Sequence, residues 1–357
     1  MENNVDGAGP AGLEPGIVVG PPGSASLPPP ARLLLMMSGA RIAGVVGAVA
    51  EFGLADLLRN GPLTAAEIAS ATGTDPESME RLLRAAAAIG LLAAAGGAYG
   101  ATRLSEPLRA DVPSSVRALV LHNDGSLVRR PWEELTYSVR TGTPAFERVF
   151  GAPLFDYLGH DSAAAESFDL AMTQMSAVSS AVFLGQYDFT RHERIVDVGG
   201  GRGHFLAEIL RRGTETSGVL LERGEVAARA HEVLAAHEAS GRAQVVAGDF
   251  FRAVPAGYDA YVIKNVLHDW ADDDALRILA VIQAAMGPGA VLLVCEHVLA
   301  PPGQWDHAAL LDLDMMLRLG GRERTLDEWK SLFAKAGLRL RGEPRPGSRA
   351  VLRCQAA

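Results

Sequence analysis

The sequence predicts an α/β protein in which a doubly wound, mostly parallel sheet follows a helical N-terminal region. Three observations predict it. From Arg194 onward short β-branched runs alternate with helix-periodic segments. The first run passes through Ile195-Val-Asp-Val-Gly-Gly-Gly-Arg-Gly203 directly into the apolar-periodic Phe205, Leu206, Ile209 and Leu210, a strand–turn–helix signature. Before it, apolar residues recur with helical rather than strand spacing. The chain's 357 residues suffice for two or three domains, and a hydrophobic fraction of 48% supplies a substantial core.

Taken in order, residues 1–28 are rich in Pro, Gly and small side chains with no apolar period, which predicts a disordered tail. The acidic opening Met-Glu-Asn-Asn-Val-Asp is unlike a signal peptide. Ala31 to Leu58 is helical in pattern and very apolar, and at a domain edge that predicts burial against another subunit. Within it Leu33–Ala50 is interrupted by Arg41 and reads as too short and too charged to span a bilayer. Thr64–Glu67 matches a capping box, Thr74-Asp75-Pro76-Glu77 opens the next helix, and Gly96-Gly97 marks a hairpin. Helix, turn, helix and hairpin are the parts of a winged helix. Lys and Arg number 33 against 42 Asp and Glu, a formal net charge of −9. With no basic stripe on the Pro76–Ile89 helix, residues 31–115 read as a dimerisation module and not as a nucleic-acid binder.

Residues 116–185 read as connecting helices whose aromatics, Trp132, Tyr137, Phe146, Phe150, Phe155, Tyr157 and Phe168, fill core or line an apolar pocket. From residue 186 the strands fall near 194–198, 218–222, 243–247, 258–264 and 290–296. A helix over Thr325–Ala336 and two short strand-like stretches follow. Ligands of such a sheet lie at the carboxyl ends of its strands. Two cysteines, Cys295 and Cys354, make no disulfide framework, which fits a reduced, cytoplasmic protein with no membrane segment.

The strand ends carry the chemistry. Gly199, Gly201 and Gly203 form G-x-G-x-G, whereas a dinucleotide fingerprint needs G-x-G-x-x-G, so the predicted ligand is a nucleoside without a diphosphate. Glu222 ends the second run, where a carboxylate holds ribose hydroxyls. Asp249 and Phe250 end the third and suit the amine and π face of an adenine, although Asp249 beside Gly248 also suits a plain turn. The fourth run ends in Lys264-Asn-Val-Leu-His-Asp-Trp270 and the fifth in Glu296-His297. His231 and His237, six apart on a helix, face different ways, and the Asp272–Asp274 run is ordinary for a helix start. No residue set has metal-ligand spacing, so no metal requirement is expected.

In this order and spacing, Asp197-Val-Gly-Gly-Gly-Arg-Gly203, Gly248-Asp-Phe-Phe251, Leu267-His-Asp-Trp270, Glu296 and Gly320-Gly-Arg-Glu-Arg-Thr325 resemble the S-adenosylmethionine-dependent O-methyltransferases of small phenolic compounds. That family includes plant phenylpropanoid enzymes and bacterial natural-product tailoring enzymes. The resemblance runs from about residue 31 to the end. It implies a Rossmann-like catalytic domain over 186–357, a homodimer built by the winged-helix-like N-terminal region, S-adenosyl-L-methionine as cofactor and a small aromatic acceptor. It further implies His268 as general base flanked by Glu296 and Glu323, and a cofactor site made by Ser176, Gly199, Glu222, Asp249, Phe250 and Lys264. Met172 matches a position near the transferred methyl, and Asn123, Trp132, Phe155, Asn265 and Asp314 are acceptor-pocket candidates. Chemistry agrees: a phenol at pKa about 10 needs a histidine raised from about 6.5, and a paired carboxylate does that. Two other functions stay open. One is base-independent N- or C-methylation or hydroxylation; the other is a winged-helix, ligand-sensing regulator.

Overall fold

A computed structural model describes residues 27–357, so nearly all of the segment read as a disordered tail lies outside the described residues. The N-terminal region opens with α1 (Pro29–Met37) and α2 (Gly39–Glu51), parted at Ser38, then α3 (Leu54–Leu57). There follow β1 (Leu63–Thr64), α4 (Ala65–Thr72), α5 (Pro76–Ala88), β2 (Leu92–Ala95) and β3 (Ala98–Ala101), the strands pairing antiparallel in the order β1-β3-β2. The caps are those the sequence specifies. Thr64 and Glu67 close a capping box on α4, and Asp75 accepts from the Ser78 N–H ahead of a first-turn proline on α5. Val49, Leu54, Ile68, Met79, Leu83 and Leu92 form this region's own core.

By length and composition Pro29–Glu51 taken whole is apolar enough to cross a bilayer, but the turn at Ser38 divides it into helices of 9 and 13 residues, each shorter than a span. Its outer side chains are uncovered, with Leu33 62%, Leu34 70% and Met37 67% exposed.

Six helices link this region to the sheet: α6 (Arg117–Asp124), α7 (Ser126–Glu133), α8 (Leu135–Thr141), α9 (Ala145–Phe150), α10 (Leu154–His160) and the long α11 (Ser162–Gln186). Phe146, Leu154 and Leu158 bury a small cluster among them, against which Phe155 and Phe168 pack.

The C-terminal half runs β4 (Arg194–Val198), α12 (His204–Arg212), β5 (Ser217–Glu222), α13 (Gly224–Ala239), β6 (Ala243–Ala247), β7 (Ala260–Lys264), α14 (Asp272–Ala285), β8 (Val291–Leu299), α15 (Ala308–Arg318), β9 (Arg324–Thr325), α16 (Leu326–Lys335), β10 (Leu338–Arg341) and β11 (Ser348–Ala356). The sheet order is β10-β11-β8-β7-β4-β5-β6, with β9 beside β8. Strands β6, β5, β4, β7 and β8 are parallel; β10 and β11 extend the sheet antiparallel. Both faces are covered, which is why the strands read as continuous apolar runs instead of alternating ones. Val196 and Val198 join Ile263 and Val294 against α14 and α16, while Ile195 joins Phe205, Val262 and Leu293 on the other face. Trp329 of α16 is fully buried and donates its indole N–H to the His297 carbonyl. Successive strands are added on one side of β4 (β5, β6) and then on the other (β7, β8), so the strand order reverses between β4 and β7 and a crevice opens at their carboxyl ends.

Candidate active site

The loop after β4 is shaped by one buried carboxylate. Asp197 is fully buried, and neither of its oxygens has a hydrogen-bond partner. A Cβ on Gly200 would meet Asp197 Oδ2 at 2.3 Å, so the loop passes directly over that carboxylate because residue 200 has no side chain. Burial pushes the Asp197 carboxyl up to about 7, against the opposing pull of Lys264. Gly201 sits at φ 61° with open space where a side chain would stand. Its N–H donates to Glu222 Oε2 at 2.9 Å, and Glu222 Oε1 accepts from the Arg223 N–H. A Cβ on Gly199 would lie 3.3 Å from the Phe250 ring, which therefore stands against the loop.

Lys264, at the end of β7, is buried; its ammonium donates to Ser176 Oγ of α11 at 2.9 Å and lies over the Phe205 ring. Burial pulls its pKa down, with Asp197 the first of the charges that oppose the fall. Asn265 follows with φ 52°, the only non-glycine residue among those described in the left-handed region, and its amide donates to Ser179 Oγ at 3.1 Å. A strained backbone of this kind persists where the surroundings fix it. Here it turns the next two N–H groups onto Glu296. Glu296 Oε1 accepts from Val266 N at 3.0 Å and Leu267 N at 2.9 Å, and Oε2 lies 2.6 Å from His268 Nδ1. Glu296 is fully buried, yet His268 and these donors hold its pKa below the ordinary value against the burial that would raise it.

The imidazole is thus fixed in one orientation, Nδ1 carrying the proton toward Glu296. Burial would lower the His268 pKa, but Glu296, then Asp269 and Glu323, raise it well above the ordinary histidine range. His268 Nε2 lies 3.4 Å from Asp269 Oδ1, beyond the distance of a strong charge-assisted bond, and the ring is 13% exposed. Glu323 flanks the imidazole without a hydrogen bond to it, acting on it through charge. Its N–H donates to Asp312 Oδ1, its Oε2 is buried without a partner, and burial pushes its pKa up to about 7. One donor atom from each of His268, Glu296 and Glu323 falls within 4.8 Å of the other two, a spacing that could hold a cation. Glu296 already accepts from three donors, so its charge is directed at the imidazole.

The Gly320–Thr325 motif acts as a clamp on the base. A Cβ on Gly321 would meet the His268 carbonyl at 2.1 Å, and the Arg322 N–H donates to that carbonyl at 2.8 Å. Arg324 is fully buried and donates to Leu267 O, Trp270 O and Asp272 Oδ1. Thr325 then caps α16 with Glu328.

Of the acceptor candidates, Trp132 Nε1 donates to Asp314 Oδ1 at 3.0 Å, and Asp314 also holds Arg318 at 2.9 Å. Arg318 reaches His122 Nε2 at 3.2 Å, and burial, followed by Arg318, pushes His122 down to about 4. Phe155 and His122 both stand in T-shaped arrangements with Phe168. Met172 stands one helical turn from Phe168 and one from Ser176 on α11. Asn123 is exposed, and among the described residues no hydrogen bond ties it to this group. Asp249 is also apart: its carboxylate accepts from Phe251 N and faces Arg252, as a turn aspartate does. Sequence reasoning assigned no role to Asp197, Asp269, Arg318, His122 or Arg324. An aspartate inside the run Ile195–Val198 was a signal for the first. His122 and Arg318 are 196 positions apart and gave none.

Comparison with known proteins agrees with this geometry. An O-methyltransferase domain model matches residues 132–339, and an O-methyltransferase dimerisation domain model matches residues 34–111. The chain is 40% identical over 321 residues to an 8-amino-8-demethylriboflavin N,N-dimethyltransferase of Streptomyces davaonensis, covering 88% of this chain and 92% of the relative. It is 36% identical over 309 residues to the mitomycin biosynthesis 6-O-methyltransferase of Streptomyces lavendulae, covering 85% and 88%. The solved O-methyltransferase NcsB1 from neocarzinostatin biosynthesis, in complex with S-adenosylmethionine and 2-hydroxy-5-methyl naphthoic acid, superposes with a TM-score of 0.75 at 37% identity, over 88% of this chain and 96% of that one. The chain belongs to the O-methyltransferase family with an N-terminal dimerisation domain. It is an S-adenosyl-L-methionine-dependent methyltransferase of the bacterial natural-product type.

Proposed function

We propose that this methyltransferase acts on a hydroxyl of a small aromatic acceptor, with His268 as general base. The observation that carries the reading is the 2.6 Å contact from His268 Nδ1 to a buried glutamate that two backbone N–H groups hold in place. That contact sets the tautomer and leaves Nε2 as the basic atom. The raised pKa brings the imidazole toward that of a phenol, so the proton transfer from an acceptor hydroxyl to Nε2 is less uphill. Asp269 and Glu323 add negative potential that favours the imidazolium thus formed.

The residues present fit the cofactor. Asp197 offers a carboxylate with unfilled acceptors, Glu222 keeps capacity for hydroxyls beyond its two backbone donors, and the space over Gly201 is open. When bound, S-adenosyl-L-methionine supplies an electrophilic methyl group on a sulfonium. Glu222 and the Gly199–Gly203 loop would hold its ribose side, Phe250 with Asp249 its base, and Asp197, Lys264 and Ser176 its polar tail. The Trp132–Asp314–Arg318–His122 chain, with Phe155 and Met172, would orient the acceptor against Nε2, since an in-line displacement demands fixed alignment. The uncovered Leu33, Leu34 and Met37 would pack in a homodimer, and a cytoplasmic location completes the reading.

A second reading has specific support. The N,N-dimethyltransferase relative makes an amine acceptor a real competitor. Labelled S-adenosylmethionine offered with paired phenols and anilines of one ring system decides between them. Label recovered as aryl ether supports the proposal, and label confined to nitrogen overturns it.

A further inference from the structure

A recess of about 370 Å³ lies at the other end of the sheet, lined by Tyr187, Arg191, His192, Arg341, Arg353 and Gln355 around Val291. Val291 is the first residue of β8 and Glu296 the sixth, so roughly 16 Å of strand separates the recess from the base. It is not part of the crevice described above.

Its charge pattern is unusual. In the β10–β11 ladder Arg341 stands directly opposite Arg353, and Arg339 opposite Gln355. By strand alternation these four share one face, while Leu338, Leu340, Leu352 and Cys354 share the other, which packs on the core. Like charges directly opposite in an antiparallel pair are destabilising. Arg191 brings a third guanidinium from the turn before β4. Among the described residues no carboxylate lies within ion-pair distance of Arg191, Arg341 or Arg353, although Arg194 close by pairs with Asp259 and the chain as a whole is acidic. Residues 338–357 contain five arginines and one acid, Glu343, which faces Lys330. Two further acids lie near the recess: Asp188 accepts from Thr190 and acts on Arg191 and His192, and Asp259, paired with Arg194, acts on His192.

The walls add neutral donors. Tyr187 Oη lies 2.8 Å from His192 Nε2, their rings are nearly parallel, and Gln355 Oε1 accepts from Arg341 Nε, leaving its amide N–H groups free to donate. Burial keeps the Tyr187 phenol protonated, its pKa raised despite Arg191 and Arg353.

We infer that this recess is an anion site for a small phosphate-bearing molecule, separate from the methyl-transfer site. Arg191, Arg341 and Arg353 line it with no carboxylate within ion-pair distance of any of them, Asp188 acting on Arg191 only from further off, and forked guanidiniums match a tetrahedral oxyanion. Its volume suits one or two phosphate groups and not an extended polymer.

The test is calorimetric titration of the full chain with inorganic pyrophosphate, the cofactor site being first saturated with S-adenosylhomocysteine. Saturable binding is expected, weakened about tenfold or more in an Arg341→Gln/Arg353→Gln double variant whose affinity for S-adenosylhomocysteine is unchanged. Without pyrophosphate the double variant should melt at or above the wild-type temperature, because a like-charge pair has been removed. Arg191→Gln, outside the sheet, should weaken binding independently of any change in strand pairing. Absence of saturable binding overturns the inference. So does equal binding by all variants, reproduction of the effect by chloride at matched ionic strength, or binding of citrate with none of pyrophosphate.

Discussion

Replacing Glu296 by Gln changes one atom and separates the two duties of that side chain. In the wild type Oε1 accepts two backbone N–H bonds and Oε2 one imidazole N–H, all without solvent. An amide cannot satisfy this set of three donors. If its NH₂ faces His268, Nδ1 must accept, the ring proton moves to Nε2, and the base is lost. If its carbonyl faces His268, the NH₂ meets the Val266 and Leu267 N–H groups donor to donor. The first arrangement removes general-base catalysis, about 10²–10⁴ in rate. The second leaves buried donors unpaired at about 1–3 kcal/mol each. The charge-assisted bond to histidine, about 1.5–3 kcal/mol, is lost in both. The expected result is kcat down about 10²–10⁴ with little change in the affinity for S-adenosylhomocysteine, together with a lower Tm. In any residual activity the histidine inflexion should move down toward the ordinary value, since its chief raising charge has gone. Steady-state kinetics across pH and a thermal melt check both. A variant with near-wild-type kcat and an unmoved inflexion would refute the reasoning.

Further outcomes follow from the same contacts. Asp197 has a folded pKa of about 7 against 3.8 unfolded, so it favours the native state fully below pH 3.8 and that advantage is lost as pH rises toward 7. The loss is at most about 4 kcal/mol, and Asp197→Asn should therefore melt higher than wild type at pH 7.5 without cofactor, show no gain at pH 3.5, and bind S-adenosylhomocysteine more weakly by calorimetry. Gly321→Ala should abolish activity and lower Tm, because its methyl would occupy the space of the His268 carbonyl; a fully active variant would contradict the clamp. Arg324→Ala leaves Leu267 O and Trp270 O without their donor in a buried loop, and should cost roughly 2–4 kcal/mol by denaturant titration. Asp314→Asn should raise acceptor KM more than it lowers kcat, since Asp314 holds Trp132 and Arg318 and not the base.

The catalytic half of the fold was legible because both faces of its parallel strands are buried, and each strand then announces itself as an apolar run ending in polar residues. Ile195–Val198, Val219–Leu221 and Val291–Val294 are of this kind. The capping box at Thr64 was legible because its partner Glu67 is three residues away. Direction was less so: nothing local in β10 or β11 says that they run antiparallel to the others. In the site, the pairing of His268 with Glu296 was anticipated through the resemblance carried by Leu267-His-Asp-Trp270 and Glu296. Glu323 was expected beside it too, but its own bonding, to Asp312 and not to the imidazole, was not legible, since the close approach of Gly321 to His268 decides how that loop hangs. The Trp132–Asp314–Arg318–His122 chain joins α6, α7 and α15, and no spacing rule connects residues so distant in sequence.

The central claim is that His268, raised by Glu296, takes the proton from an acceptor hydroxyl. Its most direct test is the pH dependence of kcat/KM for wild type and His268→Ala with one phenolic acceptor. The account predicts wild-type activity rising with pH until the imidazole is neutral. In the variant that inflexion is absent and the rate is lower by about 10²–10⁴. Transfer in the variant within a few-fold of wild type, with the same inflexion, would contradict it.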